Sequence, residues 1–456
     1  MDTLGPTDGR GDPVILLVAC NTPDPDTGTM PPMDMEETLE SPSEAEDLDP
    51  GDAFQAAITA GYVESLHGGT TEPRYAYDGQ VPGPTFRVPL GQPVTIAFTN
   101  ALDDATTIHW HGMEVPEAMD GAGWVDGGVA SGETFTYSFT PTHAGTFWYH
   151  PHLDVASQVD GGLYGTFIVE DPDEPVADRE LVLVFDVPGE HEDEEGDTGE
   201  THHSHHDLPD PDTVVWTVNG HVAPTFHATA GERIRVRTVN ASNTGYLDLT
   251  WPDMRLIAED QGLLSAPEAP TSVRLVPGDR AEFEWDVSTS FDVQTLPVVA
   301  AGGSAWGATR TLMTVDVDRS GSPTPIAWPD APEAPTADPG WTDLVYVFEG
   351  GDSWYINGET WPDVTPKTTP IGEDAVVEVR NLSTTNHPFH LHGNRFEVLS
   401  VDGVPPSARR YEDTVDVGIR STVRLLLHPD NPGDWLLHCH LLGHEADGMM
   451  TILTVE

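Results

Sequence analysis

One short frame occurs three times along the chain. Gly91–Asn100 reads GQPVTIAFTN, Gly231–Asn240 reads GERIRVRTVN and Gly372–Asn381 reads GEDAVVEVRN, so the copies start 140 and 141 residues apart. Each opens with Gly and a polar residue, alternates, and closes on Asn. Each also follows an Asp-Gly or Asn-Gly turn and a second short strand, in YDGQVPGPTFRVPLG, VNGHVAPTFHATAG and INGETWPDVTPKTTPIG. Alternation marks strands with one buried face, and Gly-containing turns mark their ends. A repeat of this kind predicts an all-β chain of three tandem sandwich domains. The length of 456 residues agrees, being too great for one core. The domains are expected at residues 56–172, 173–319 and 341–456, with the Pro-rich segment 320–340 as the linker before the third.

The charge restricts partners. There are 77 acidic and 19 basic residues, a net of −58. Such a surface repels nucleic acid and anionic membranes and suits strong hydration and a saline medium. Residues 21–55 read as an acidic, disordered tether, with 11 acidic and no basic residues between Asn21 and Asp52. Met30, Met33 and Met35 within it are read as ordinary linker residues. Residues 1–20 end in VILLVAC, and Cys20 after this apolar run suggests a bacterial lipoprotein signal, hence an exported protein, periplasmic or at the cell surface, with Cys20 as the site of a lipid anchor. The run is six residues, short of the usual ~7–15, and is preceded by three Asp and one Arg. No stretch approaches the ~20 apolar residues of a membrane span. The two cysteines stand in such different settings that no disulfide is expected.

Ten of the 20 histidines fall into four groups. HWHG holds His109 and His111, and WYHPH holds His150 and His152. HPFHLHG holds His387, His390 and His392, and HCHLLGHEADGM holds His438, His440 and His444. The first two groups lie in the first domain and the last two in the third. Residues two apart on a strand share a face, so each His-X-His pair presents two imidazoles side by side. In His-Cys-His the rings of His438 and His440 face one way and Cys439 the other. One strand then serves two metal sites. A thiolate, two imidazoles and a weak axial thioether make the electron-transfer set of a blue-copper site. Cys439, His444 and Met449 supply three of these, and His387, apart from its paired neighbours, is the best fourth. The eight remaining histidines are too many for one metal and suit three coppers with positions left open for oxygen.

Taken together these motifs resemble those of the multicopper oxidases of three-domain laccase type, over residues 70 to 456. The resemblance implies three cupredoxin-like Greek-key domains and four copper ions. His387, Cys439 and His444 would bind the type-1 copper, with Met449 axial. His109 and His390 would bind the type-2 copper. His111, His150, His152, His392, His438 and His440 would bind the type-3 pair. Asp120 and Glu445 match the carboxylates that bring protons in bacterial members. Asp413, in YEDTVDV, matches an acid that the family places near the type-1 histidine, where it would orient His387.

The implied reaction takes single electrons from phenols or aromatic amines and reduces O2 to water. A metallo-oxidase for Cu(I), Fe(II) or Mn(II) is the alternative within the same chemistry, and a copper-storage protein is the alternative outside it. A monomer is expected. The middle domain has no methionine-rich insertion but carries HEDEEGDTGETHHSHHD, residues 191–207, whose five histidines suggest a weak additional metal site.

Overall fold

The computed structural model describes residues 38–456 apart from 68–69, 123–126, 173, 189–213, 300–304, 307, 319–332 and 352. Cys20, the three early methionines, the His-rich stretch and most of the expected linker lie outside the described residues. Residues 37–456 form one compact unit in which each repeat becomes two packed sheets. The first has two four-stranded sheets, and the second and third each pair a six-stranded with a five-stranded sheet. Each sandwich encloses its own apolar core. Two short helices are Val155–Asp160 and Leu442–Ala446, and no described helix is long and apolar enough to cross a membrane.

The repeated frame takes the same place in each sandwich. Val94–Asn100, Arg233–Asn240 and Ala375–Asn381 each pair in parallel with the preceding long strand. Each also pairs antiparallel with a later one, respectively Thr134–Phe139, Arg280–Asp286 and Thr422–Leu427. The terminal Asn explains itself. Asn100, Asn240 and Asn381 are fully buried. Each side-chain amide donates to two backbone carbonyls, and each side-chain oxygen accepts a backbone N–H two residues on. The side chain thus closes the turn and ties it to a neighbouring segment, satisfying groups that burial would otherwise leave unpaired.

Two expectations need correction. The acidic stretch is not a free tether along its second half. Leu39 is buried in the middle domain's core, where its N–H donates to Thr225 O at 2.7 Å, and Ala45 N–H donates to Thr85 O of the first domain at 2.8 Å. The segment straps two domains together. The middle repeat is also not half-exposed, since every residue of Arg233–Asn240 is buried. Its polar face, Arg233, Arg235 and Arg237, meets Glu174, Glu180, Glu282 and Glu284. Arg237 reaches Thr146 of the first domain at 3.2 Å, so this charged face is a domain interface.

Candidate metal centre

The strand Gly433–Cys439 is buried over its last five residues and pairs with His387–Leu391 and Met450–Val455. Its alternation does what the pattern His-Cys-His predicts. On one face Cys439 Sγ lies 3.3 Å from His387 Nδ1 and 3.5 Å from His444 Nδ1. On the other, His438 Nε2 lies 3.1 Å from His392 Nε2 and 3.5 Å from His152 Nε2. The chain then turns into Leu442–Ala446, which repeats the division: His444 faces the thiol, and Glu445 faces His152 and His438. Met449 is fully buried in the same apolar cluster as Cys439. Its carbonyl accepts Cys439 N–H at 3.1 Å and its N–H donates to His444 O at 2.9 Å.

Beside the thiol, His387 Nε2 meets Ser383 Oγ at 2.7 Å, in the turn that Asn381 closes. Trp354 stacks on His444 with ring centroids 3.9 Å apart. Burial pushes the Cys439 thiol up and the His444 imidazole down to about 3. A metal that takes this thiol as thiolate must displace its proton, while the neutral imidazoles are already in ligand form.

The eight other histidines converge from two domains. His109 and His111 sit on strand His109–His111, which pairs with Gly145–His150, and they meet His390 and His392 of the third domain in two stacks. His109 lies on His392 at 3.8 Å and 22°, and His111 on His390 at 3.7 Å and 9°. His152, His392 and His438 have ligand atoms within 4.8 Å of one another. His111, His150 and His440 have ring centroids 4.8–5.7 Å apart. His109 and His390 remain as a pair at 5.9 Å.

Three carboxylates hold the outer ring nitrogens, and each spans the two domains. Asp120 lies 3.3 Å from His109 Nδ1 and 2.9 Å from His392 Nδ1. Glu445 lies 3.4 Å from His152 Nδ1 and 3.1 Å from His438 Nδ1. Asp413 lies 3.2 Å from His111 Nε2 and 3.5 Å from His390 Nδ1. Burial works against charge on these acids. The adjacent imidazoles outweigh it for Asp120, which lies well below the usual carboxylate range, and for Glu445, held at about 2.

Asp413 is therefore not where the sequence reading put it. It stands against the histidines shared by the two terminal domains, while His387 is held by Ser383. The middle domain supplies further partners that no sequence motif announces. Arg280 forms an ion pair with Asp413, and Asp260 Oδ2 accepts Thr414 N–H at 3.2 Å. Gly278 sits so close to the rings that a Cβ there would be 3.2 Å from both His111 Cε1 and His440 Cγ, and its φ of +97° is one that L side chains rarely adopt. The available signal was faint. PGDR reads as a turn followed by a strand arginine, and nothing local tells a buried arginine from an exposed one.

Tested against a metal, the donors fit. His109 Nε2, His111 Nδ1, His150 Nε2, His390 Nε2 and both His440 nitrogens are buried without a hydrogen-bond partner. Unpaired polar atoms in a dry site are costly, and cations among these nitrogens would use their lone pairs. Imidazole donors suit copper, and a thiolate with two imidazoles suits it in the electron-transfer form.

A family model described as multicopper oxidase matches residues 59–174, and a second with the same description matches 328–456. The multicopper oxidase MmcO of Mycobacterium tuberculosis is 30% identical over 437 residues, covering 85% of this chain and 84% of its own. Among solved structures, a multicopper oxidase from Campylobacter jejuni described as a metallo-oxidase is similar with a TM-score of 0.75 at 23% identity, over 92% of this chain and 95% of that one. A laccase from Pediococcus acidilactici has a TM-score of 0.76 at 24% identity, over 92% and 94%. The chain belongs to the multicopper oxidase family. It is an oxidase that uses oxygen and has copper as its cofactor, built on cupredoxin-like domains.

Proposed function

We propose that the enzyme oxidises phenols and aromatic amines one electron at a time and reduces O2 to water at a three-copper site. The carrying observation is the single buried strand on which Cys439 faces His387 and His444 while its neighbour His438 faces the histidine cluster. In this reading His387, Cys439, His444 and Met449 would hold the type-1 copper. His109 and His390 would hold the type-2 copper, and the two histidine triads would hold the type-3 pair. Bound copper supplies the one-electron redox steps and the oxygen chemistry. The chain's own residues do the rest. Trp354 covers His444, which is 7% exposed, and its indole offers a flat apolar face to an aromatic donor. Cys439 is covalently joined to His438 and His440, so the chain itself would connect the two sites through bonds. Asp120 and Glu445 accept from ring N–H groups and, held as carboxylates, are the bases nearest the cluster through which protons consumed with oxygen would be relayed.

The test is oxygen uptake with a phenol, followed by kcat/KM for the phenol against Cu(I) on one preparation. A clear preference for the phenol supports the reading. A preference for Cu(I) replaces it with a metal-ion oxidase on the same copper frame. Export with lipid attachment at Cys20 belongs to this proposal as well. It requires fatty-acid labelling of the cell-made protein that disappears in Cys20→Ser.

A further inference from the structure

Of the three carboxylates that bridge the terminal domains, one differs. Asp413 alone is gripped by a guanidinium, and that guanidinium comes from the domain without a histidine in the cluster. Arg280 is 2% exposed, and each of its five N–H groups has an acceptor. Nε donates to Thr146 O at 3.0 Å, Nη1 to Gly278 O at 3.1 Å and Asp413 Oδ1 at 2.8 Å, and Nη2 to Asp260 O at 3.3 Å and to Asp413 Oδ2. A fork fully engaged in this way has one orientation. The carboxylate it grips is fixed in turn, with Thr414 Oγ1 donating to Oδ1 at 2.9 Å.

The fixed carboxylate meets one stacked pair of rings. His111 Nε2 is 3.2 Å from Asp413 Oδ1 and 3.1 Å from Thr414 Oγ1. His390 Nδ1 is 3.0 Å from the Asp413 carbonyl and 3.1 Å from Thr414 Oγ1. An ionised carboxylate and a carbonyl only accept, so these ring nitrogens carry the protons. That leaves His111 Nδ1 and His390 Nε2 as bare lone pairs, and both are among the unpartnered atoms of the cluster. We infer that Arg280 is a positioning residue for the copper cluster: through Asp413 it sets the tautomer and orientation of His111 and His390, one ligand from each terminal domain. The inference rests on the proposed ligand set, and it gives the middle domain a part in the chemistry although it places no histidine in the cluster. Second-sphere partners of this kind commonly change metal affinity or activity about 10–100-fold when lost.

Arg280→Lys keeps the charge and loses the fork. In the reconstituted holoenzyme the type-1 absorbance and its anaerobic reduction by donor should match wild type. The type-2 copper signal in electron paramagnetic resonance should change its hyperfine splitting, and affinity for that copper should fall about tenfold. A residue that only stabilised the fold would lower the melting temperature of the apo-protein and leave the type-2 spectrum alone, and that result overturns the inference. Asp413→Asn, which keeps one acceptor oxygen, gives the same decision if Arg280→Lys does not fold. Nitrogen-15 imidazole shifts of the wild-type apo-protein decide it without any variant or metal. His111 should be protonated at Nε2 and His390 at Nδ1, and the opposite tautomer at either ring sinks the idea. A wild-type protein that takes up copper but shows no type-2 signal would instead count against the proposed function.

Discussion

At the scale of single residues, Cys439 does the most. Cys439→Ser should abolish the blue absorbance and donor oxidation while the apo-protein still folds. The serine hydroxyl would occupy a fully buried site where Leu441 N–H already points at the sulfur from 3.5 Å. The cost in apo stability should be about 1 kcal/mol, read from denaturant unfolding, and a variant that stays blue would refute the type-1 assignment. Trp354 gives a second check. An aromatic stack is worth about 0.5–1.5 kcal/mol, so Trp354→Ala should lower kcat/KM for phenols by up to about tenfold and leave that for Cu(I) unchanged. If both donors react faster, the indole shields His444 and does not receive the donor. The contrast between these residues and Asp413 shows what a sequence can carry. The ring pairs were legible because strand alternation converts spacing of two into a shared face. The partners of Asp413 lie 23 to 302 residues away in the chain, at His390, Arg280 and His111, and no local period encodes them.

At the scale of elements, the repeated frame was readable because its Asn does one job three times, and the same job needs the same residue. The strap before the first strand was not. Its composition is that of a chain that cannot build a core, and one leucine inserted into a neighbour's core outweighs that average. Leu39 is 1% exposed, and its backbone and that of Glu40 are tied to the middle domain through Thr225 and Asn219. Leu39→Ala should therefore destabilise the protein by about 2–5 kcal/mol, the usual cost of such a cavity. A free tether would give a change near zero, so urea unfolding of this one variant separates the two descriptions.

At the scale of the molecule, charge acts in two places with different sensitivity to salt. The surplus of carboxylates on the surface repels itself, and the net charge of −58 makes this a large term. The arginine–glutamate pairs within the middle domain, on the face it turns to the first, are built on buried arginines, and buried pairs are screened much less. Added NaCl should then raise the melting temperature up to molar concentrations. A melting temperature that falls with salt would mean that the interface pairs, and not the surface, dominate. The arrangement of three domains was legible from the spacing of the repeat. Their mutual packing was not, because it depends on which polar strand face is covered, and an exposed and a covered RIRVR look alike.

The meeting of two distant domains at one cluster also has a time attached. His152 and His438 come within 3.5 Å across 286 residues of chain. At roughly 5–20 residues per second of synthesis, the first half of the ring set exists for about 15–60 s before the second half is made. During that interval four imidazoles have no counterpart, and any metal they capture is held by an unfinished ring set that the closing domain must accept or displace. The ring set is therefore complete only once the last domain has been made and has folded against the first.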